Sequence, residues 1–223
     1  PYAVATTSGS VALLLAMLAC GVGPGDEVVV PALTFIAPAH AALLLGARVR
    51  LVDVRSDRPL VDVDALAAAV TERTKAVVVV HVNGRAADVA AVRRVAVRVG
   101  ARVIEDCAQA FQSRGPDGLL GAQGDVAAFS LGMTKLVTTG EGGFVATRDP
   151  GLHDRLVRLR NHGVHAIADN VFDGIGCNFR LTDLQAALGL AQLARLEQKV
   201  AGVGRVYEFY RQRLAATPWV ELL

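Results

Sequence analysis

Apolar positions along the chain alternate between two rhythms. Short runs at 3–6, 27–31, 49–53, 75–80, from 101 into Asp106, 125–130 and 143–147 have the length and β-branched content of strands. Longer stretches at 11–19, 36–45, 62–70, 86–100, 149–160 and 184–215 repeat their apolar residues at helical spacing. Lys75-Ala-Val-Val-Val-Val80 is apolar without a break, as expected of a strand covered on both faces. Strand, helix, strand and helix in turn predict an α/β fold, a three-layer α/β/α arrangement on a mostly parallel mixed sheet. The Ala/Leu stripe of the last helix suits packing or a subunit seam. The strand-like run 219–223 reads as the start of a small C-terminal domain, which divides the chain into 1–195 and 196–223.

Composition narrows the class. Of 223 residues 52% are hydrophobic and 20% charged, which excludes a disordered chain. The net charge of +2 and the scattered arginines leave no basic stripe for nucleic acid. Cys20, Cys107 and Cys177 are odd in number, far apart and in no C-x-x-C pair. They argue against a disulfide framework or a metal site and fit a reducing cytoplasm. No apolar run reaches the roughly 18 residues of a membrane span.

In parallel sheets ligands collect beyond the carboxyl ends of the strands. Ser8-Gly9-Ser10, Phe35, His81, Asp106, Gln109 and Ser130 all fall at such ends. The hydroxyls and glycine before the helix at 11–19 cap it, and they also leave amides free for an anion. Phe35 is either core or a plate for a planar ligand, and Asp106 either caps the next helix or serves a ligand. Gly21-Val-Gly-Pro-Gly25 follows a helix and precedes a strand, the reverse of a dinucleotide loop, and is a turn. Lys135 stands between small and apolar residues with no carboxylate within five positions. Desolvation there favours a neutral amine, as imine chemistry requires, although a lysine snorkelling from a loop would read the same way. An anion cradle, a flat aromatic, an acid, an amide, a hydroxyl and such a lysine are together what pyridoxal 5'-phosphate asks for.

The segments Ser8-Gly-Ser-Val-Ala-Leu13, Gly23-Pro-Gly-Asp-Glu-Val28, Pro31-Ala-Leu-Thr-Phe35, Glu105-Asp-Cys-Ala-Gln109, Thr134-Lys135, Thr138-Thr-Gly-Glu-Gly-Gly143, Arg160-Asn-His-Gly163 and Asn178-Phe-Arg-Leu181 resemble, in this order, the DegT/DnrJ/EryC1/StrS sugar aminotransferases. The resemblance implies the large domain of the type I pyridoxal-phosphate transferase fold. It implies Lys135 as the Schiff-base lysine and proton carrier, Asp106 facing the pyridine nitrogen, and Gln109 at the ring hydroxyl. It implies Phe35 as the stacking aromatic, and Ser130 with Gly9 and Ser10 at the phosphate. Asn178 would serve the phosphate of a neighbouring subunit, hence a homodimer with shared sites. Glu141 and His162 match family positions without an assigned role.

Two positions depart from the family pattern. Gly132-Met133 stands where relatives often carry an aromatic or histidine followed by proline, and Asn83 where many carry tyrosine. Both border the substrate in such an arrangement. The expected reaction moves an amino group from glutamate or glutamine to a keto-sugar, nucleotide-linked by expectation. A cyclitol ketone, an aminobenzoate precursor, or a cofactor-binding subunit without turnover are the alternatives.

Overall fold

The computed structural model describes residues 1–166, 168, 171, 172 and 174–220. Its centre is a seven-stranded sheet built from β1 (Tyr2–Thr6), β2 (Glu27–Pro31), β3 (Arg48–Val52), β4 (Thr74–Val80), β5 (Arg102–Asp106), β8 (Val126–Ser130) and β9 (Gly143–Thr147). The order is β1-β9-β8-β5-β4-β2-β3. All neighbouring pairs are parallel except the two that β9 makes, with β1 and with β8. The sheet is therefore mixed but mostly parallel. A two-stranded hairpin of β6 (Arg114–Gly115) and β7 (Gly118–Leu119) stands apart from it.

Side-chain alternation divides the core between the two faces. Val28, Val30, Ala76, Val78, Val80 and Ile104 point to one cluster, with Leu13, Leu15 and Met17 of α1 (Gly9–Ala19), Ala41 of α2 (Ala37–Leu44), and Leu152 and Leu156 of α5 (Pro150–Arg160). Val29, Val77, Val79 and Val103 point to the other, with Leu66 of α3 (Val63–Ala69) and Val89, Val92 and Val95 of α4 (Val89–Ala96). The valine-rich β4 contributes to both, which is why it carries no polar face.

Two helices differ from their expected extents. The stretch 86–100 becomes helical only at Val89, where Asp88 accepts the Ala91 amide at 2.8 Å. The preceding residues are held elsewhere, the Ala87 amide donating to His81 Nδ1 at 3.2 Å. The run 184–215 is two helices, α6 (Asp183–Leu193) and α7 (Leu196–Leu214), broken where Arg195 leaves helical geometry at φ −108°, ψ 13°. Lys199 spans the break, donating to Gln192 Oε1 and, at 3.2 Å, to the Leu136 carbonyl. At the far end, 218 and 219 lie in a turn, and 221–223, where a strand was expected to continue, are outside the described residues.

Candidate active site

The carboxyl ends of β4, β5 and β8 and the start of α1 face the same region. At α1, Ser8 Oγ accepts the Val11 amide at 3.2 Å, and the Ser8 carbonyl accepts that of Ala12 at 2.9 Å. The amides of Gly9 and Ser10 have no acceptor among the described residues, and they start an eleven-residue helix whose dipole favours an anion there. A Cβ on Gly9 would lie 2.7 Å from Ser130 Cβ, so only glycine lets the helix start close against the Ser130 hydroxyl. Gly143 is equally constrained, since a Cβ would come within 2.6 Å of the Ser8 and Phe129 carbonyl oxygens. These close approaches set the bare amides of Gly9 and Ser10 beside one hydroxyl, the donor set a phosphate takes.

Lys135 sits in the loop between β8 and β9. Its amide donates to the Gly132 carbonyl at 3.0 Å, and the loop is closed by Leu131 N–H to Gly142 O at 2.8 Å and Thr139 N–H to Leu131 O at 2.9 Å. The cavity it lines, about 1450 Å³, is shared with Gln109, Ser130 and Asn83 on the sheet side and with α7 opposite. Gln109 has its amide orientation assigned by its partner. Oε1 accepts the Asn83 N–H at 2.8 Å, which turns Nε2 away, with no acceptor for it among the described residues. Asn83 reaches that position in left-handed backbone, φ 51°, where asparagine is better tolerated than most residues.

Asp106, the last residue of β5, is not in the cavity lining but lies buried at 4% exposure. Burial pushes its carboxyl above the ordinary range, against the Ala108 N–H that it accepts at 2.9 Å and against the charges of Lys135 and His81. Its neighbour Glu105 points the other way and is fully buried. Burial alone would raise Glu105 too, but hydrogen bonds from His81 and from the Gly124 and Gly121 amides carry it below the ordinary range. His81 Nε2 lies 2.9 Å from Glu105, and its Nδ1 accepts from Ala87, which fixes Nε2 as the protonated nitrogen. His81, Glu105 and Cys107 offer donor atoms within 4.8 Å of one another. Their hydrogen bonds account for His81 and Glu105, and burial holds the Cys107 thiol well above its ordinary value, so the cluster reads as packing.

The structure thus brings Lys135, Ser130 and Gln109 to one cavity, Gly9 against Ser130, and Asp106 within electrostatic reach of Lys135. Phe35 is not brought there. Its ring is 66% exposed, and it lines a separate hollow with Ser10 between α1 and α2. Asn178 also lies outside the cavity, its Oδ1 accepting Arg180 Nε at 3.1 Å. Three features escaped the sequence reading: Glu105 as a hub, the Asn83–Gln109 contact, and the wall formed by α7. A second acid directly before Asp106, inside the buried part of β5, was the available signal for the first.

The fold is an α/β sheet, mostly parallel, with a lysine, a buried acid and unbonded helix-start amides beyond its strand ends. The chain belongs to the DegT/DnrJ/EryC1/StrS aminotransferase family, which it matches over residues 1–223. It is 41% identical over 214 residues to GDP-perosamine synthase of Caulobacter vibrioides, covering 96% of this chain and 58% of that one. DesV of S. venezuelae superposes with a TM-score of 0.92 at 38% identity, over 98% of this chain and 58% of DesV. A Streptococcus pneumoniae chain solved in a PLP form superposes at 0.90 and 26% identity, over 97% and 60%. The chain therefore spans a little under three fifths of the length of the curated relative it matches.

Proposed function

We propose that this chain is the cofactor-binding part of a pyridoxal-phosphate-dependent aminotransferase acting on a nucleotide-linked keto-sugar. The observation that carries the reading is Lys135 sharing a cavity with Gln109 and Ser130, while Asp106 lies buried and within electrostatic reach. The residues fit the cofactor. The close approach of Gly9 to Ser130, which a Cβ would forbid, sets the Ser130 hydroxyl beside the Gly9 and Ser10 amides, the donors a phosphate needs. Asp106, raised by burial, lacks the cation that a protonated ring nitrogen would provide. Pyridoxal phosphate supplies an aldehyde for an amine and a ring that accepts electrons.

The chain's own residues do the rest. Ser130 and the amides of Gly9 and Ser10 hold the phosphate. Asp106 would hold a protonated ring nitrogen, and Gln109 Nε2 would be the donor for the ring hydroxyl. Lys135 Nζ would be the group that accepts and returns the substrate proton, a role worth roughly 10²–10⁴-fold in rate. The amino donor is glutamate or glutamine. The relatives' names, a GDP-sugar enzyme among them, support a sugar acceptor.

Phe35 we retain as a contact at the edge of the phosphate cradle, on the strength of its shared hollow with Ser10. A homodimer with shared sites is part of the same reading. It is supported by exposed Leu33, Phe35, Ile36, Leu43 and Leu44 around α2, and by Asn178 lying outside the cavity of its own chain. Residues 1–195 we read as the cofactor-binding domain and 196–223 as the lead into a second one, since α7 buries no side chain against the first. Among the described residues no helix is long and apolar enough to cross a membrane. Three free cysteines support a cytoplasmic setting.

The test is direct. The full chain incubated with pyridoxal phosphate, reduced with borohydride and digested should carry the cofactor's mass on the peptide containing Lys135. Lys135→Ala should carry none. A separate, unreduced sample given glutamate should release one 2-oxoglutarate per bound cofactor. Labelling at another lysine, or none, would overturn the assignment.

A further inference from the structure

The cavity is larger than the cofactor site needs. Its volume of about 1450 Å³ exceeds the ~300–1,000 Å³ usual for one small-ligand pocket. One wall of it is α7, which contributes Lys199, Arg205, Phe209 and Tyr210 to the lining. Charge accounting singles out one of these residues. No aspartate or glutamate lines the cavity among the described residues, whereas Lys135, Lys199 and Arg205 do. Lys135 belongs to the cofactor in the reading above. Lys199 is held by the Leu136 carbonyl and Gln192. Arg205 has no hydrogen-bonding or ionic partner among the described residues. The nearest acid on its own helix, Glu208, is engaged by both nitrogens of Arg211, at 2.7 and 2.8 Å, and by Gln212 at 2.9 Å.

The local sequence leaves Arg205 open to a ligand. Gly202, one turn earlier on the same face, lines the cavity with bare backbone, and a Cβ there would meet nothing closer than the Arg205 guanidinium at 3.9 Å. Glycine inside a helix is unfavourable relative to alanine, so the opening is made at the expense of helix stability. One turn beyond Arg205, Phe209 and Tyr210 add ring surface to the same wall.

We propose that Arg205 is the receptor for the diphosphate of a nucleotide-linked acceptor, with the nucleoside lying along the Phe209–Tyr210 end of α7. The inference rests on the reading of the site above and sharpens it. A planar five-donor fork binds paired phosphate oxygens bidentately, as a lysine cannot. An uncharged acceptor such as a free cyclitol ketone would leave this cation unanswered. The same anion chemistry could come from the cofactor's own phosphate or the donor's carboxylates, and the test separates the three.

Calorimetric titration of GDP, UDP and dTDP into the full, cofactor-loaded chain should show binding of at least one. Arg205→Gln should weaken it by roughly 10–100-fold, with Arg205→Lys in between. Affinities for the matching phosphate-free nucleoside, for pyridoxal phosphate and for glutamate should be unchanged in both variants. Equal diphosphate affinity in wild type and Arg205→Gln overturns the proposal. So does binding of no diphosphate, or a loss confined to glutamate or to the cofactor. Titration into the chain before cofactor loading reads the same contact. Failure to take up pyridoxal phosphate thus defeats the reading of the site, while Arg205 stands or falls on its own isotherm.

Discussion

Two carboxylates adjacent in sequence end β5 and live in opposite conditions. Glu105 faces the α3–α4 side of the sheet, where it accepts from His81 at 2.9 Å and from the amides of Gly121, Gln123 and Gly124 at 2.9, 2.8 and 2.5 Å. Asp106 faces the opposite, α1 side and accepts one amide from Ala108. Both are buried, yet one carboxyl is held below the ordinary range and the other above it. Burial is common to the pair, so the difference comes from the number of donors each is given. A fully satisfied carboxylate stabilises the fold, whereas an under-satisfied one stores a demand for a cation, which is what a ligand site requires.

The strongest way to break the comparison is to remove the satisfied partner. Glu105→Ala strands His81 Nε2 and three loop amides in a dry interior, and should destabilise the chain by about 3–5 kcal/mol in urea unfolding. Loss of less than about 1 kcal/mol would mean that the hub is incidental. The pH behaviour follows the same division. Glu105, lowered, contributes stability that is full above the ordinary carboxylate value of about 4 and is lost as pH falls through its own value. Asp106, raised, contributes in the opposite sense, present below about 4 and lost as pH rises through its own value.

Asp106→Asn should therefore leave the cofactor-free chain as stable as wild type or more so, with the gap widening as pH rises through the raised value. The same change should weaken pyridoxal phosphate binding by roughly 10–100-fold, the worth of a charge-assisted hydrogen bond. Equilibrium unfolding and absorbance titration report the two halves separately. A variant less stable than wild type without the cofactor would place Asp106 with Glu105 as a structural acid.

Much of this was legible in the chain. The two apolar rhythms place seven strands and most helices, because which face is buried is written in local spacing. What local spacing cannot carry is which distant groups meet. Glu105 finds its partners at 81 and at 121–124, and nothing within the run Arg102–Asp106 announces them. The break before α7 carries no proline or glycine. It is tied instead by Lys199 reaching Leu136, a contact across more than sixty positions. Phe35 sits one residue past a Thr and beyond a strand end, which suggests a ligand plate, but the ring's direction depends on how α2 packs on α1. The hairpin at 114–119 was marked by Gly-Pro-Asp-Gly and went unread.

The smallest change sharpens the comparison most, because it touches the link between its two sides. The turn 82–84 leaves His81, on the Glu105 side, and within two residues delivers the Asn83 amide to Gln109 at the cavity. That crossing uses left-handed backbone at Asn83, φ 51°, which disfavours an ordinary L residue by roughly 1–2 kcal/mol. Asn83→Ala should thus destabilise by about 1 kcal/mol, since asparagine already bears part of that strain. Asn83→Gly, free of the strain, should be near neutral in the folded state. If the amide of residue 83 orients Gln109, both variants keep the donor and the cofactor's absorbance should hold in each. A spectral change in Asn83→Gly, where the backbone is at ease, would mean that the asparagine side chain itself reaches the bound ring and that the link is more than a turn.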